Sequence, residues 1–158
     1  MNCVTIADPV SGSEAEIAVD LGFNCYAFRA RVGERTVDVI DAAADFPESG
    51  ERPSGNGSPL LFPFPNRING GQYTWEGREY SLPHRPGMPH AIHGFALDRP
   101  WRVIDRTPES VTGEFQISRD APERLELWPA DGVIRVRYSV HQSTLALQVA
   151  IINPDDKP

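Results

Sequence analysis

The stretch "GVIRVRYSVHQSTLALQVAIIN", Gly132 to Asn153, decides the fold class. Apolar and polar residues alternate on both sides of Gln142-Ser143, and a period of two places successive side chains on opposite faces of a strand. Two such runs joined at a short polar break read as an antiparallel hairpin. The same β-rich texture recurs upstream in "VTIA" (4–7), "AEIAV" (15–19), "CYAFRARV" (25–32), "TVDVI" (36–40), "WRVIDRT" (101–107) and "SVTGEFQIS" (110–118). "QYTWEG" and "REYSL" meet near Glu76-Gly77 as a further hairpin with a tight turn. One helix is expected, "DAPERLELW" from Asp120 to Trp128, with Asp120 as N-cap and Pro122 in the first turn. Strands in series without long intervening helices predict an all-β, mainly antiparallel sandwich instead of a parallel α/β sheet.

The 158 residues suffice for one domain with its own core. Fifteen Lys and Arg against 22 Asp and Glu give a net charge of −7, the wrong sign for a phosphate backbone or an anionic membrane surface. Neither nucleic acid nor membrane is expected as a partner. Cys3 and Cys25 are too few for a disulfide framework and lack metal-ligand spacing, so both read as reduced and structural. The N-terminus shows no basic segment followed by an apolar one, and no apolar run approaches the ~20 residues of a membrane span, so the expected address is cytoplasmic. Residues 41–59, "DAAADFPESGERPSGNGSP", are dense in Pro, Gly, Ser and charge and read as a long loop.

Polar groups with chemical potential gather between Leu60 and Phe95. Pro63, Pro65 and Pro83 hold that backbone out of regular sheet, which places Asn66, Arg67, His90 and His93 on rigid loop. The Arg67 guanidinium presents five donors in a planar fork that can bridge two vicinal hydroxyls or a carboxylate, although a loop Arg is more often a brace. Asn66 is expected to hydrogen-bond backbone within the Pro-interrupted loop. His90 and His93 lie three apart, which in an extended segment sends their side chains to opposite faces, so no shared metal is expected. An imidazole beside a glycine is usually a hydrogen-bonded structural group, but it can also move a proton near neutral pH. His84 and His141 have no such setting. Trp75, Trp101, Trp128 and the Phe62/Phe64 pair can offer a sugar-stacking face, yet each is assigned to the core. No G-x-S-x-G, His-flanked Cys or Gly-rich phosphate loop is present, which removes covalent and nucleotide chemistry. None of the 22 acidic residues sits in a motif that marks a general base.

The run from "LFPFPNRI" through the "G-x-Y-x-W-x-G-x-x-Y-x-L" hairpin to "IHGF", in that order, resembles the aldose 1-epimerase (galactose mutarotase) family. The resemblance extends weakly to both ends and covers nearly all of residues 1–158, as the N-terminal half of the family. It implies about half of a large galactose mutarotase-like antiparallel β-sandwich, which binds a free aldose in an open cleft and interconverts its α and β anomers without a cofactor. It implies that a carboxylate takes the anomeric proton while an imidazole protonates the ring oxygen. Arg67 matches the family's sugar-contacting Arg, and His93 matches its first-motif His near the ring oxygen; Asn66 and His90 are possible further contacts. At His90 many members carry Asn. Members usually continue past "N-P-D-D" into a "G-x-H-P-Y-F"-like segment with the principal acid His, and their base Glu lies near the C-terminus, whereas this sequence stops at Pro158.

Three readings follow: an isomerase of this type present in part, a sugar-binding module without turnover, and a β-sandwich interaction domain. Because both halves of the family contribute strands to one sandwich, the resemblance also implies an unpartnered edge. The expected macromolecular partner is a second copy or a separate C-terminal half.

Overall fold

The structure, a computed structural model, describes residues 1–84 and 87–156. Its first sheet has the order β1-β2-β3-β4, formed by Cys3–Ala7, Glu14–Ala18, Asn24–Val32 and Arg35–Asp38. Two small ladders follow: β5 (Arg67–Ile68), β6 (Gln72–Trp75), β7 (Arg78–Ser81) and β8 (Ala91–Ile92) pair as β5-β8 and β6-β7. The second large sheet is built from β9 (Arg102–Arg106), β10 (Ser110–Gln116), β11 (Val133–His141) and β12 (Thr144–Ile152), in the order β12-β11-β10-β9. Every pairing between these strands is antiparallel. The expected all-β antiparallel sandwich is the observed fold.

Both hairpins lie where the sequence puts them. His141 pairs with Thr144 around Gln142-Ser143. Trp75 pairs with Arg78 around Glu76-Gly77, whose φ angles of 47° and 78° give the doubly left-handed turn that suits the twist of a two-residue hairpin. On β11 the alternation is clear from Ile134 onward: Ile134, Val136, Tyr138 and Val140 are buried, while Arg135 and Arg137 face solvent. Arg135 also meets Glu114 directly across the ladder at 2.6 Å. In β3 a register shift after Glu16 adds Tyr26 to the strand, so Cys25, Phe28 and Ala30 all reach the core although the strict period of two is broken.

The two sheets share one core, in which Phe23 stacks on Trp101 at 5.5 Å and packs against Tyr138 at 5.6 Å. Both thiols are free. Cys25 is buried, and burial pushes its thiol up to about 12; Cys3 is exposed.

The expected helix over Asp120–Trp128 is corrected. A four-residue α turn, α1 (Ile117–Asp120), ends at Asp120, and a 3-10 segment Pro122–Leu127 follows. Ala121 at φ −149° separates them, so no continuous helix forms. Asp120 does not cap the second segment. Its carboxylate accepts the Gln116 amide at 2.7 Å and pairs with the Arg102 guanidinium at 3.0 Å. Pro122 does lie in the first turn of the 3-10 segment, where its missing N–H costs nothing.

Segment 41–59 contains turns and the short 3-10 piece Pro53–Gly55. Its brace is the fully buried Asn24, whose carboxamide donates to the Pro53 and Asn56 carbonyls at 3.3 and 2.8 Å and accepts the Ser58 amide at 2.8 Å. Replacing Asn24 by Ala is expected to cost about 2–4 kcal/mol, because the Pro53 and Asn56 carbonyls lose their donor at once and the Ser58 amide keeps only the Cys25 carbonyl. Urea unfolding should show it, together with faster proteolysis confined to residues 41–59.

Candidate active site

The run Phe62–Pro65 is held by its aromatics. Phe62 and Phe64 point into the core at 7 and 8% exposure, and Phe64 stacks on Trp128 at 5.6 Å. The chain then enters β5, whose two residues pair with β8 as Arg67↔Ile92 and Ile68↔Ala91. Arg67 therefore sits in a short ladder, a firmer support than the loop expected for it. The ladder's next pair is Asn66 and His93, and here the bonding changes.

The His93 amide donates to the Asn66 carbonyl at 2.9 Å, as in an ordinary antiparallel pair. In return, the Asn66 amide donates to the His93 ring at Nδ1, at 3.2 Å. The imidazole stands in for a backbone carbonyl because both residues are left-handed, with φ 56° at Asn66 and 66° at His93. Such backbone strain persists only where surrounding contacts enforce it. A ring nitrogen that accepts a hydrogen bond carries no proton, so the neutral ring holds its proton on Nε2 and is a donor there.

The Asn66 carboxamide also differs from expectation. Its Oδ1 accepts from Arg67 Nη1 at 3.1 Å, so it orients the guanidinium and does not tie down loop backbone. Asn66 and Arg67 are exposed and His93 is half-buried, which makes the site an open surface. His90 is engaged separately, its Nδ1 accepting the Gly70 amide at 3.1 Å. The two histidines thus serve different backbone segments. Among the described residues no group of three or more His, Cys, Asp or Glu could hold a metal ion. Nor is any helix among them long and apolar enough to cross a membrane.

Gly94 fixes the position of His93. Its φ is +72°, and a Cβ there would lie 2.1 Å from the Phe62 carbonyl oxygen. That oxygen accepts the amides of Phe95 at 2.7 Å and Ala96 at 3.2 Å, closing the His93 loop onto the Pro-rich run.

The core assignment holds for Trp101, Phe62 and Phe64 and fails for Trp75, which is 46% exposed. Trp128 is half-buried against the core. Trp75 lies at the turn end of the β6-β7 hairpin, whose Tyr73 packs against the core, and it borders an apolar cavity of about 390 Å³ with Phe62, Tyr73, Trp128 and Ile151. Asp131, at the same cavity, is no candidate base. Burial pushes its carboxyl up, but hydrogen bonds from Ser118 and Gln116, with the Ser118 and Gly132 amides, outweigh burial and hold it below the ordinary carboxylate value.

Two packed antiparallel sheets that carry a polar site on the ladder between them define a mutarotase-like β-sandwich, and solved structures share it. A galactose mutarotase-like protein from Clostridium acetobutylicum superposes with a TM-score of 0.79 at 23% identity, covering 96% of this chain and 45% of that one. One from Lactobacillus casei gives 0.73 at 22% identity, covering 99% and 46%. Galactose 1-epimerase from Lactobacillus acidophilus gives 0.61 at 15% identity, covering 97% and 49%.

The aldose 1-epimerase family model matches residues 29–158, and the chain belongs to that family. Among curated relatives, the "Uncharacterized protein YihR" of Escherichia coli K12 is 40% identical over 63 residues, which is 39% of this chain and 20% of that protein. The "Uncharacterized protein YphB" of the same organism is 35% identical over 52 residues, 32% of this chain and 18% of that protein. The chain thus spans under half the length of these solved structures and matches about a fifth of these curated relatives.

Proposed function

We propose that these residues form the sugar-contacting part of an aldose 1-epimerase-type site, which takes a free aldose in its ring form. The reading is carried by the reciprocal Asn66–His93 pairing. It presents an oriented guanidinium at Arg67 and a donor Nε2–H at His93 from adjoining positions of one short ladder. Arg67 bridges two ring hydroxyls, since its planar fork matches two oxygens. His93 donates to the ring oxygen.

In the full reaction a base takes the proton from the anomeric hydroxyl, electrons form the C1 carbonyl, and the C1–ring-oxygen bond breaks as that oxygen gains a proton. Rotation about C1–C2 and reclosure return the other anomer. His93 lowers the barrier by donating to the oxygen on which charge develops. The base and the principal acid are assigned to the part of the family fold outside these residues, so the 158 residues bind without efficient turnover.

The test is ligand-detected NMR of galactose and glucose against the wild-type chain, Arg67→Ala and Arg67→Lys. Weak binding by the wild type is expected. A roughly tenfold loss in Arg67→Ala corresponds to one charge-assisted contact pair of about 1.5 kcal/mol. Arg67→Lys should recover little, because an ammonium cannot bridge two oxygens in one plane. Equal binding by all three proteins would reduce Arg67 to a brace of the ladder.

A further inference from the structure

The sequence contains two Asn-Gly pairs, Asn56-Gly57 and Asn69-Gly70. In this dipeptide the side chain is open to attack by its own backbone, because glycine sets no Cβ beside the amide nitrogen that follows the Asn carboxamide. The structure treats the two pairs in opposite ways.

Asn56 is locked. Its Oδ1 accepts the Ala43 amide at 2.7 Å, and its Nδ2 donates to the Glu51 and Arg52 carbonyls at 3.2 and 3.1 Å. The Gly57 amide donates to the Asp41 carbonyl at 3.0 Å, and an amide oxygen is too weak a base to take its proton. Asn69 is not held in this way. It is exposed in the turn between β5 and β6, and its carboxamide makes no hydrogen bond among the described residues. Gly70 follows at φ +61°, with no atom within 4 Å of the place a Cβ would take, so a ring has room to close there. The Gly70 amide donates to Nδ1 of His90 at 3.1 Å, where a turn amide would ordinarily meet a carbonyl. A ring nitrogen that accepts a hydrogen bond is unprotonated and, unlike a carbonyl oxygen, can take the proton outright.

We propose that Asn69 is a self-modification site, at which His90 is the general base for conversion of the asparagine to aspartate and isoaspartate. His90 Nδ1 takes the Gly70 amide proton as the Gly70 nitrogen bonds to Asn69 Cγ. The Cγ–Nδ2 bond then breaks, and Nδ2 leaves as ammonia with the proton that His90 returns. A cyclic succinimide remains. Water opens it at Cγ to give aspartate, or at the Asn69 backbone carbonyl to give isoaspartate, whose main chain runs through the former side chain. One water is consumed and one ammonia released, and His90 is unchanged. The reacting atoms belong to one turn and one imidazole, so the step calls on no other part of the fold. Either product sets a negative charge two residues after Arg67.

The test is peptide mapping by mass spectrometry of the full chain after incubation at neutral pH, with isoaspartate labelled by a protein-isoaspartate methyltransferase. The comparison is His90→Asn. An Asn carboxamide keeps an acceptor for the Gly70 amide but is no base, and circular dichroism and the unfolding midpoint check that the variant folds. Asn69 is expected to convert in the wild type about tenfold faster or more than in His90→Asn, while Asn56 stays intact in both. In urea, where His90 no longer faces Gly70, the two Asn-Gly pairs should convert alike in both proteins. An Asn69 that stays intact in the folded wild type would overturn the proposal, as would equal rates in wild type and His90→Asn, or an Asn56 that converts as fast as Asn69 in the folded chain. Should His90→Asn fail to fold, the wild type alone decides: Asn69 is expected to convert faster folded than in urea, and slower conversion in the folded chain would overturn the role of His90.

Discussion

Freshly dissolved α-galactose or α-glucose is expected to mutarotate in the presence of the chain at no more than the buffer-catalysed rate. In the proposed site Arg67 and His93 hold a ring, but ring opening needs a base at the anomeric hydroxyl and an acid at the ring oxygen. The family resemblance puts both principal groups beyond the residues present. A general acid or base commonly contributes about 10²- to 10⁴-fold, and the loss of both removes most of the acceleration that a complete site has over solvent. In the proposed site His93 supplies a hydrogen bond to the ring oxygen, and removal of the anomeric proton needs a separate base. Polarimetry decides the matter. A rate well above the drift, abolished by His93→Ala, would contradict the assignment and would mean that a carboxylate among these residues acts as base.

Gly94→Ala is expected to lower stability by about 3–5 kcal/mol and the midpoint of thermal unfolding by roughly 10 °C or more. Two costs combine there. The left-handed φ of +72° disfavours any side chain, and the new Cβ would fall 2.1 Å from the Phe62 carbonyl oxygen and 2.8 Å from the Pro63 nitrogen. Relief requires the Pro-rich run to part from the Phe95 and Ala96 amides, which releases the loop that carries His93. The control is Gly50→Ala, at φ +63° with no atom within 4 Å of the added Cβ, where conformational strain alone costs about 1 kcal/mol. Differential scanning calorimetry should separate the two variants. Equal shifts would show that the approach of Gly94 to Phe62 does not constrain the fold.

The strands were legible where burial is one-sided. β11 alternates because one of its faces meets the core, and that periodicity is written residue by residue. The helix over Asp120–Trp128 misled because propensity and a well-placed proline suggest a continuous helix. The Arg102 guanidinium and the Gln116 amide instead hold the Asp120 carboxylate at the end of α1. Trp75 misled for a related reason. Its hydrophobicity says core, but only tertiary placement tells which end of a hairpin packs against the sandwich.

The site shows the same division. The motif residues Arg67 and His93 stood out by type and family likeness, while the bond that joins their segments spans 27 positions and depends on two left-handed residues. An Asn before the Arg and a Gly after the His were the available signals, since both tolerate or accompany positive φ. Asn24, the brace of segment 41–59, carried no local signal, because all its partners lie about 30 residues away.

The measurement that bears most directly on the site is the long-range ¹⁵N–¹H NMR spectrum of the histidine rings, recorded with and without galactose. His93 should appear as the Nε2–H tautomer, because its Nδ1 accepts the Asn66 amide. Galactose should move the Nε2 resonance of His93 while the rings of His84 and His141 stay in place. A His93 ring protonated at Nδ1, or one whose Nε2 ignores saturating galactose, would contradict the account of a sugar site built on the Asn66–His93 pair.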